Sequence, residues 1–116
     1  MEANKVELIG RINYKNIEEK TNTKVARFLV SRKFREDEYV SFPVTMFGDE
    51  AVKAYQALEK GNYGHFIGRL TMNSYVKDEK KIDKMEFIAT FGEKVEYDIK
   101  KKDYVPAKEE ALPWRN

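Results

Sequence analysis

The chain has 116 residues, 41% of them hydrophobic and 36% charged, with 22 Lys and Arg against 20 Asp and Glu. That composition describes one soluble domain with a single modest core and excludes a disordered chain; no apolar run approaches the roughly 20 residues that cross a bilayer, and no signal peptide opens the sequence. The absence of cysteine removes disulfides, thiolate metal sites and thiol nucleophiles and suits a cytoplasmic location, while a net charge of +2 leaves polyanion binding to the placement of the cations.

In chain order, "NKVELIGRINY" alternates as a half-buried strand, with Val6, Leu8 and Ile12 on one side and Glu7, Arg11 and Asn13 on the other. The polar run "NIEEKTNT" predicts a loop. "KVARFLVSRKF" predicts a second strand with Ala26, Phe28 and Val30 inward and Arg27, Leu29, Ser31 and Lys33 outward. After "REDE" the third strand, "YVSFPVTMF", contains Pro43, which cannot donate to a ladder and so marks an edge or a bulge. "GDEAVKAYQALEKG" predicts the one helix, with Asp49 at its start, an apolar stripe of Ala51, Val52, Tyr55 and Leu58, Lys60 in the last turn and Gly61 at the end. The fourth strand, "NYGHFIGRLTMNSY", points Phe66, Leu70 and Met72 inward, with Gly64 and Gly68 permitting a bend or close approach. "VKDEKK" predicts a hairpin tip, and "IDKMEFIATFGEKVEY" a fifth strand bent at Gly92. Beyond Tyr97 the pattern dissolves, which divides the chain into a domain over 1–97 and a flexible C-terminal tail over 98–116.

Three strands, a helix and two strands form the order of an all-β fold, a five-stranded Greek-key OB-fold barrel with its helix between the third and fourth strands. An SH3-like barrel or a helix-on-sheet fold fits the same string.

"NKVELIGRI", "KVARFLV", "TMFGDEAVKAYQALEKGNYGHFIGRL" and "KMEFIATFGEKVEY" together resemble the bacterial and phage single-stranded DNA-binding protein family, over about residues 4–97. The resemblance implies an OB-fold that forms homo-oligomers, tetramers in preference to dimers. It further implies sequence-nonspecific binding and protection of single-stranded DNA during replication, recombination and repair. Family aromatics that stack bases match Phe47 at the end of the third strand and Tyr75 at the end of the fourth, with Phe34 near the end of the second. Another family aromatic falls on Ser41, where Phe42 or Tyr39 substitutes depending on what Pro43 does to the strand. Family cations on the fourth strand fall partly on Thr71 and Asn73, leaving Arg69; Lys5 and Arg11, from the opening motifs, join the DNA-contacting set.

The residues support this chemistry independently of the family. A sequence-tolerant binder needs cations that follow phosphates and flat side chains that stack bases. Strand parity supplies an outward wall of Phe47, Tyr75, Arg27, Arg69 and Lys33. The same aromatics serve equally well in subunit interfaces. The tail, "KEEALPWRN", resembles the acidic tip with which family members dock replication and recombination proteins, through Glu109, Glu110, Leu112, Pro113 and Trp114. Arg115 and Asn116 follow the ring, a departure from the family tip, and the short tail inclines the origin towards phage. No nucleophile motif, acid–base set or metal-ligand cluster stands out, and His65 has no partner set, so the expectation is a binding protein with no cofactor rather than an enzyme. An OB-fold protein-interaction module of primosome type and an RNA-binding domain remain the rivals.

Overall fold

The computed structural model describes residues 4–106 of the chain. Strand β1 (Val6–Lys20) does not stop at Tyr14 but runs through most of the stretch expected to be a loop, and turns into β2 (Thr23–Arg35) over two residues. Thr21 and Asn22 both take left-handed backbone angles, φ 48° and 63°. A turn of this kind matches the natural twist of paired strands, so the hairpin stays in register from Lys20–Thr23 to Ile17–Ala26 and beyond. Polar residues here mark a solvated ribbon, not a break.

β3 (Glu38–Phe47) pairs antiparallel with β2 along its whole length, with Pro43 opposite Leu29 and no register shift at that point. Pro43 lies just before the segment Val44–Met46 that acquires β5 as its second neighbour, so the proline sits at an edge and not in a bulge. The helix α1 (Gly48–Ala57) follows, with Asp49 and Glu50 in its first turn, where negative charge is favourable. It ends before the predicted Lys60 and Gly61, and no basic residue occupies its last turn; Leu58 closes it by donating its N–H to the Ala54 carbonyl at 2.9 Å. The buried stripe is Ala51, Ala54 and Leu58, while Val52 and Tyr55, expected inside, are only half-buried.

β4 (Tyr63–Lys77) and β5 (Lys80–Asp98) form a long hairpin around Asp78 and Glu79, another pair of left-handed residues. β4 also pairs with β1, from Val6–Gly68 to Arg11–Tyr63. Parallel pairing of Val44–Met46 with Phe87–Ala89 closes the barrel in the order β1-β2-β3-β5-β4-β1. This is the all-β OB-type barrel, with one helix between β3 and β4. The β4–β5 hairpin outruns the closure, so Met72, predicted inward, is exposed on a projecting arm. Leu70, also predicted inward and opposite Phe87 at the edge of the closure, is exposed at the open end of the barrel.

Leu8, Ile12, Phe28, Val30, Val44, Met46, Phe66 and Phe87 fill the interior, and α1 packs into it through its alanines and Leu58. Phe66 meets Phe28 with ring centroids 5.3 Å apart. A Cβ on Gly64 or Gly92 would stand 2.9 or 3.0 Å from the Phe66 ring, so those glycines leave the space the ring occupies. No helix among the described residues is long and apolar enough to cross a membrane.

The sheet also continues past Tyr97, where the sequence predicts a loose tail. Asp98 accepts hydrogen bonds from the backbone N–H groups of Lys100 and Lys101 at 2.9 and 3.2 Å, forming a turn. The turn returns the chain as β6 (Asp103–Pro106), paired with Val95–Asp98. The tail residues 107–116, including Glu109, Glu110, Leu112, Pro113 and Trp114, lie outside the described residues.

Closure of the barrel depends on a backbone approach at Gly68, where β4 and β5 shift register. A Cβ there would lie 2.1 Å from the Ile88 carbonyl oxygen, and backbone cannot give way as a side-chain tip can. Gly68→Ala is therefore expected to lose about 2–4 kcal/mol in urea unfolding. Gly48→Ala, with a left-handed φ of 73° but open space around it, is expected to lose only about 1–2 kcal/mol. Equal losses at the two sites would contradict the packing described.

Candidate nucleic-acid interface

Alternation along β3 determines which side chains face outward. Val44 and Met46 are fully buried, so Tyr39, Ser41, Pro43, Thr45 and Phe47 form the opposite row. Phe47 is 49% exposed although it adjoins the core, because β3 ends there and α1 turns away. It lines a cavity of about 270 Å³ with Arg27, Pro43 and Thr45 on one side and Asn73, Lys84, Met85 and Glu86 of the β4–β5 arm on the other. Arg27 reaches it because β2 pairs Arg27 with Thr45.

Tyr39, Lys33 and Arg11 come together elsewhere, around a larger cavity of about 540 Å³ at the other end of the same row. The sequence-derived wall therefore divides into two. Phe47 and Arg27 share one cavity, Lys33 belongs to the second, and Arg69 and Tyr75 line neither. Arg69 follows Arg27, Thr45 and Ile88 in a row across β2, β3, β5 and β4. Two strand spacings, about 10 Å, separate it from Thr45. The cations that share a cavity with Phe47 are Arg27 and Lys84. Tyr75, 46% exposed, stands opposite Ile82 on the arm.

Phe42 has the parity of Val44 and Met46, and it lines an apolar cavity with Val6, Leu8, Leu70 and Phe87 at an open end of the barrel. Of the two candidates for the missing third-strand aromatic, Tyr39 is thus the one in the outward row. Phe34, 67% exposed, lies near the β2–β3 turn with the Arg35 guanidinium 5.4 Å from its ring centroid. Lys5 pairs with Glu7 at 3.4 Å and lines neither cavity.

Lys84, Tyr63, Tyr104 and Arg32 are lining residues that sequence reasoning missed. Lys84 was within reach of it: a two-residue turn at Asp78 and Glu79 places Lys84 opposite Asn73. Tyr104 was not, because its position depends on β6.

The two cavities differ electrostatically. Arg27 donates from Nη1 to the Glu18 carboxylate, and Lys20 Nζ lies 3.6 Å from the same group. The hydrogen bond from Arg27, reinforced by the charge of Lys20, holds the Glu18 carboxyl below its ordinary value of 4.5. Glu86 also lines the Phe47 cavity, and it accepts a hydrogen bond from the Asn73 amide at 3.3 Å. Among the described residues, no carboxylate lines the larger cavity.

No protein-family model and no curated protein matches the sequence. Among solved structures, the fold resembles the crystal structure of the SSB domain of a Synechococcus sp. protein. The two share 17% identity at a TM-score of 0.62, over 79% of this chain and 96% of that one.

The Arg27–Glu18 pair carries a prediction of its own. A depressed folded-state pKa contributes stability above the unfolded value, and that contribution is lost as pH falls through the folded one. Titration by NMR should find the Glu18 carboxyl below 4.5 in the native chain and nearer that value in Arg27→Gln. An unchanged titration in the variant would separate the two groups in solution.

Proposed function

We propose that the outward face of β2 and β3 binds single-stranded DNA without sequence preference, as a binding protein rather than an enzyme, serving replication, recombination and repair. The observation that carries this reading is the outward β3 row, which presents exposed aromatics at both ends, each within a cavity lined by cations. Rings take base faces and cations take phosphates, and neither contact reads sequence. The likeness of the fold to an SSB domain agrees with it. Phe47, with Arg27 and Lys84, is assigned one stacking position; Tyr75 and Phe34 on the projecting hairpins are assigned contacts that form as the strand wraps, with Arg69 in the closure row two strands from Thr45.

Homo-oligomerisation belongs to the same proposal. The stretch Val6–Gly10 of β1 has β4 on one side and, among the described residues, no strand on the other. A free edge of this kind invites pairing with another chain.

A gel-shift series comparing oligo-dT, oligo-U and duplex DNA at several salt concentrations, with solution mass by light scattering, tests the reading. Oligo-dT is expected to bind tightest, with affinity falling as salt rises. Phe47→Ala is expected to weaken it by about 1–3 kcal/mol, tenfold or more at the centre of that range, with the mass unchanged. Preference for duplex, or loss of assembly with per-subunit affinity intact, would reassign the aromatic face to another ligand or to a subunit interface. Preference for oligo-U would make RNA the substrate.

A further inference from the structure

The larger cavity contains more chemistry than the site residues expected from sequence account for. Arg11, Arg32 and Lys33 give its lining three positive charges, with no carboxylate among the described lining residues. None of the three has an ion-pair partner among the described residues, in contrast to Arg27. Arg32 is held in place by donating Nη1 to the Ile9 carbonyl at 3.0 Å, and its other N–H groups have no partner among the described residues.

Tyrosines line the same cavity. Tyr39 comes from the outward β3 row, Tyr63 from the start of β4 and Tyr104 from β6. Tyr104 lies 5.8 Å from Tyr63 and 5.3 Å from Tyr97, centroid to centroid, in tilted and edge-on arrangements. Its ring is fixed by two neighbours on two other strands. The short strand β6 thereby supplies one wall of the cavity. A volume of about 540 Å³ is within the roughly 300–1,000 Å³ typical of ligand sites.

Resting on the single-strand reading of the β3 row, we propose that this cavity seats one nucleotide of the same DNA strand. The base lies against Tyr104 and Tyr63, and its phosphates meet Arg11 and Lys33. The eight residue steps from Phe47 to Tyr39 span about 27 Å along β3, so the strand runs down the row between two anchored ends. Charge makes the Tyr39 end the stronger phosphate site, and stacking makes β6 part of the binding domain rather than the start of its tail.

Three variants and an oligo-dT of about twelve nucleotides test this. Tyr104→Leu keeps apolar bulk between Tyr63 and Tyr97 but removes the stacking face, and is expected to weaken binding about fivefold or more at unchanged melting temperature. Lys33→Gln should lower the salt-dependence slope by about one. Tyr104→Trp in a Trp114→Phe background keeps the ring, should bind as the wild type does, and should lose tryptophan fluorescence as the base stacks. If Phe47→Ala weakens binding while Tyr104→Leu binds normally and the introduced tryptophan is not quenched, the single-strand reading stands and the nucleotide seat is overturned. If the wild-type protein does not bind oligo-dT at low salt, both fall.

Discussion

Three residue pairs, Val44–Phe87, Thr45–Ile88 and Met46–Ala89, hold β3 against β5 and shut the barrel. Their parity decides what the surface contains. With Val44 and Met46 committed to the interior, Pro43, Thr45 and Phe47 have no other direction than outward, and Tyr39 and Ser41 follow by alternation. The closure depends in turn on a β5 that curls to pair with β3 through Phe87–Ala89 while the same residues keep β4 as their other neighbour. The register shift beside Gly68, and the absence of a side chain there, allow that change of direction. The Phe66 ring occupies the room that Gly64 and Gly92 leave, so aromatic core and glycine placement are one device.

The closure also explains why aromatic residues are exposed on a chain that has a core for them. Each hairpin is longer than the barrel needs, and the excess projects as ribbons carrying Phe34, Tyr75, Met72 and Met85. Two concave surfaces lie along the outward β3 row, one of them walled by the β4–β5 arm, and the charges divide between them unequally. Around Phe47 the cations are balanced by Glu18 and Glu86; around Tyr39 they are not. A polyanion meeting this surface gains most from phosphate contact at the Tyr39 end, where no ion pair among the described residues has to be given up.

Much of this was legible in the sequence, because alternation is a local property. The inward sets Leu8–Ile12, Ala26–Val30 and Val44–Met46 follow from period two alone, and so does the outward direction of Phe47. What escaped was nonlocal. Thr21–Asn22 and Asp78–Glu79 turn through left-handed residues without a glycine, so a continuous hairpin looked like a loop at "NIEEKTNT". Leu70 and Met72 have core-like parity, but parity cannot tell where the barrel ends and the arm begins. Parity put Arg69 and Arg27 alike in the outward wall with Phe47, but the pairing of β2 with β3 sets Arg27, and not Arg69, in the Phe47 cavity. β6 was hidden because its strand is four residues long and its anchor, Tyr104, packs on tyrosines of β4 and β5.

The central claim is that unpaired bases lie on the outward β3 row, and photo-crosslinking tests it most directly. Oligo-dT carrying 5-bromodeoxyuridine would be irradiated with the full chain and the crosslinked peptides mapped by mass spectrometry. Base stacking on the outward row predicts adducts at Phe47 and Tyr39, with further adducts along the β4–β5 arm. Adducts confined to the surface around His65 and Phe91, whose rings pack edge-on at 6.2 Å on β4 and β5, would contradict it.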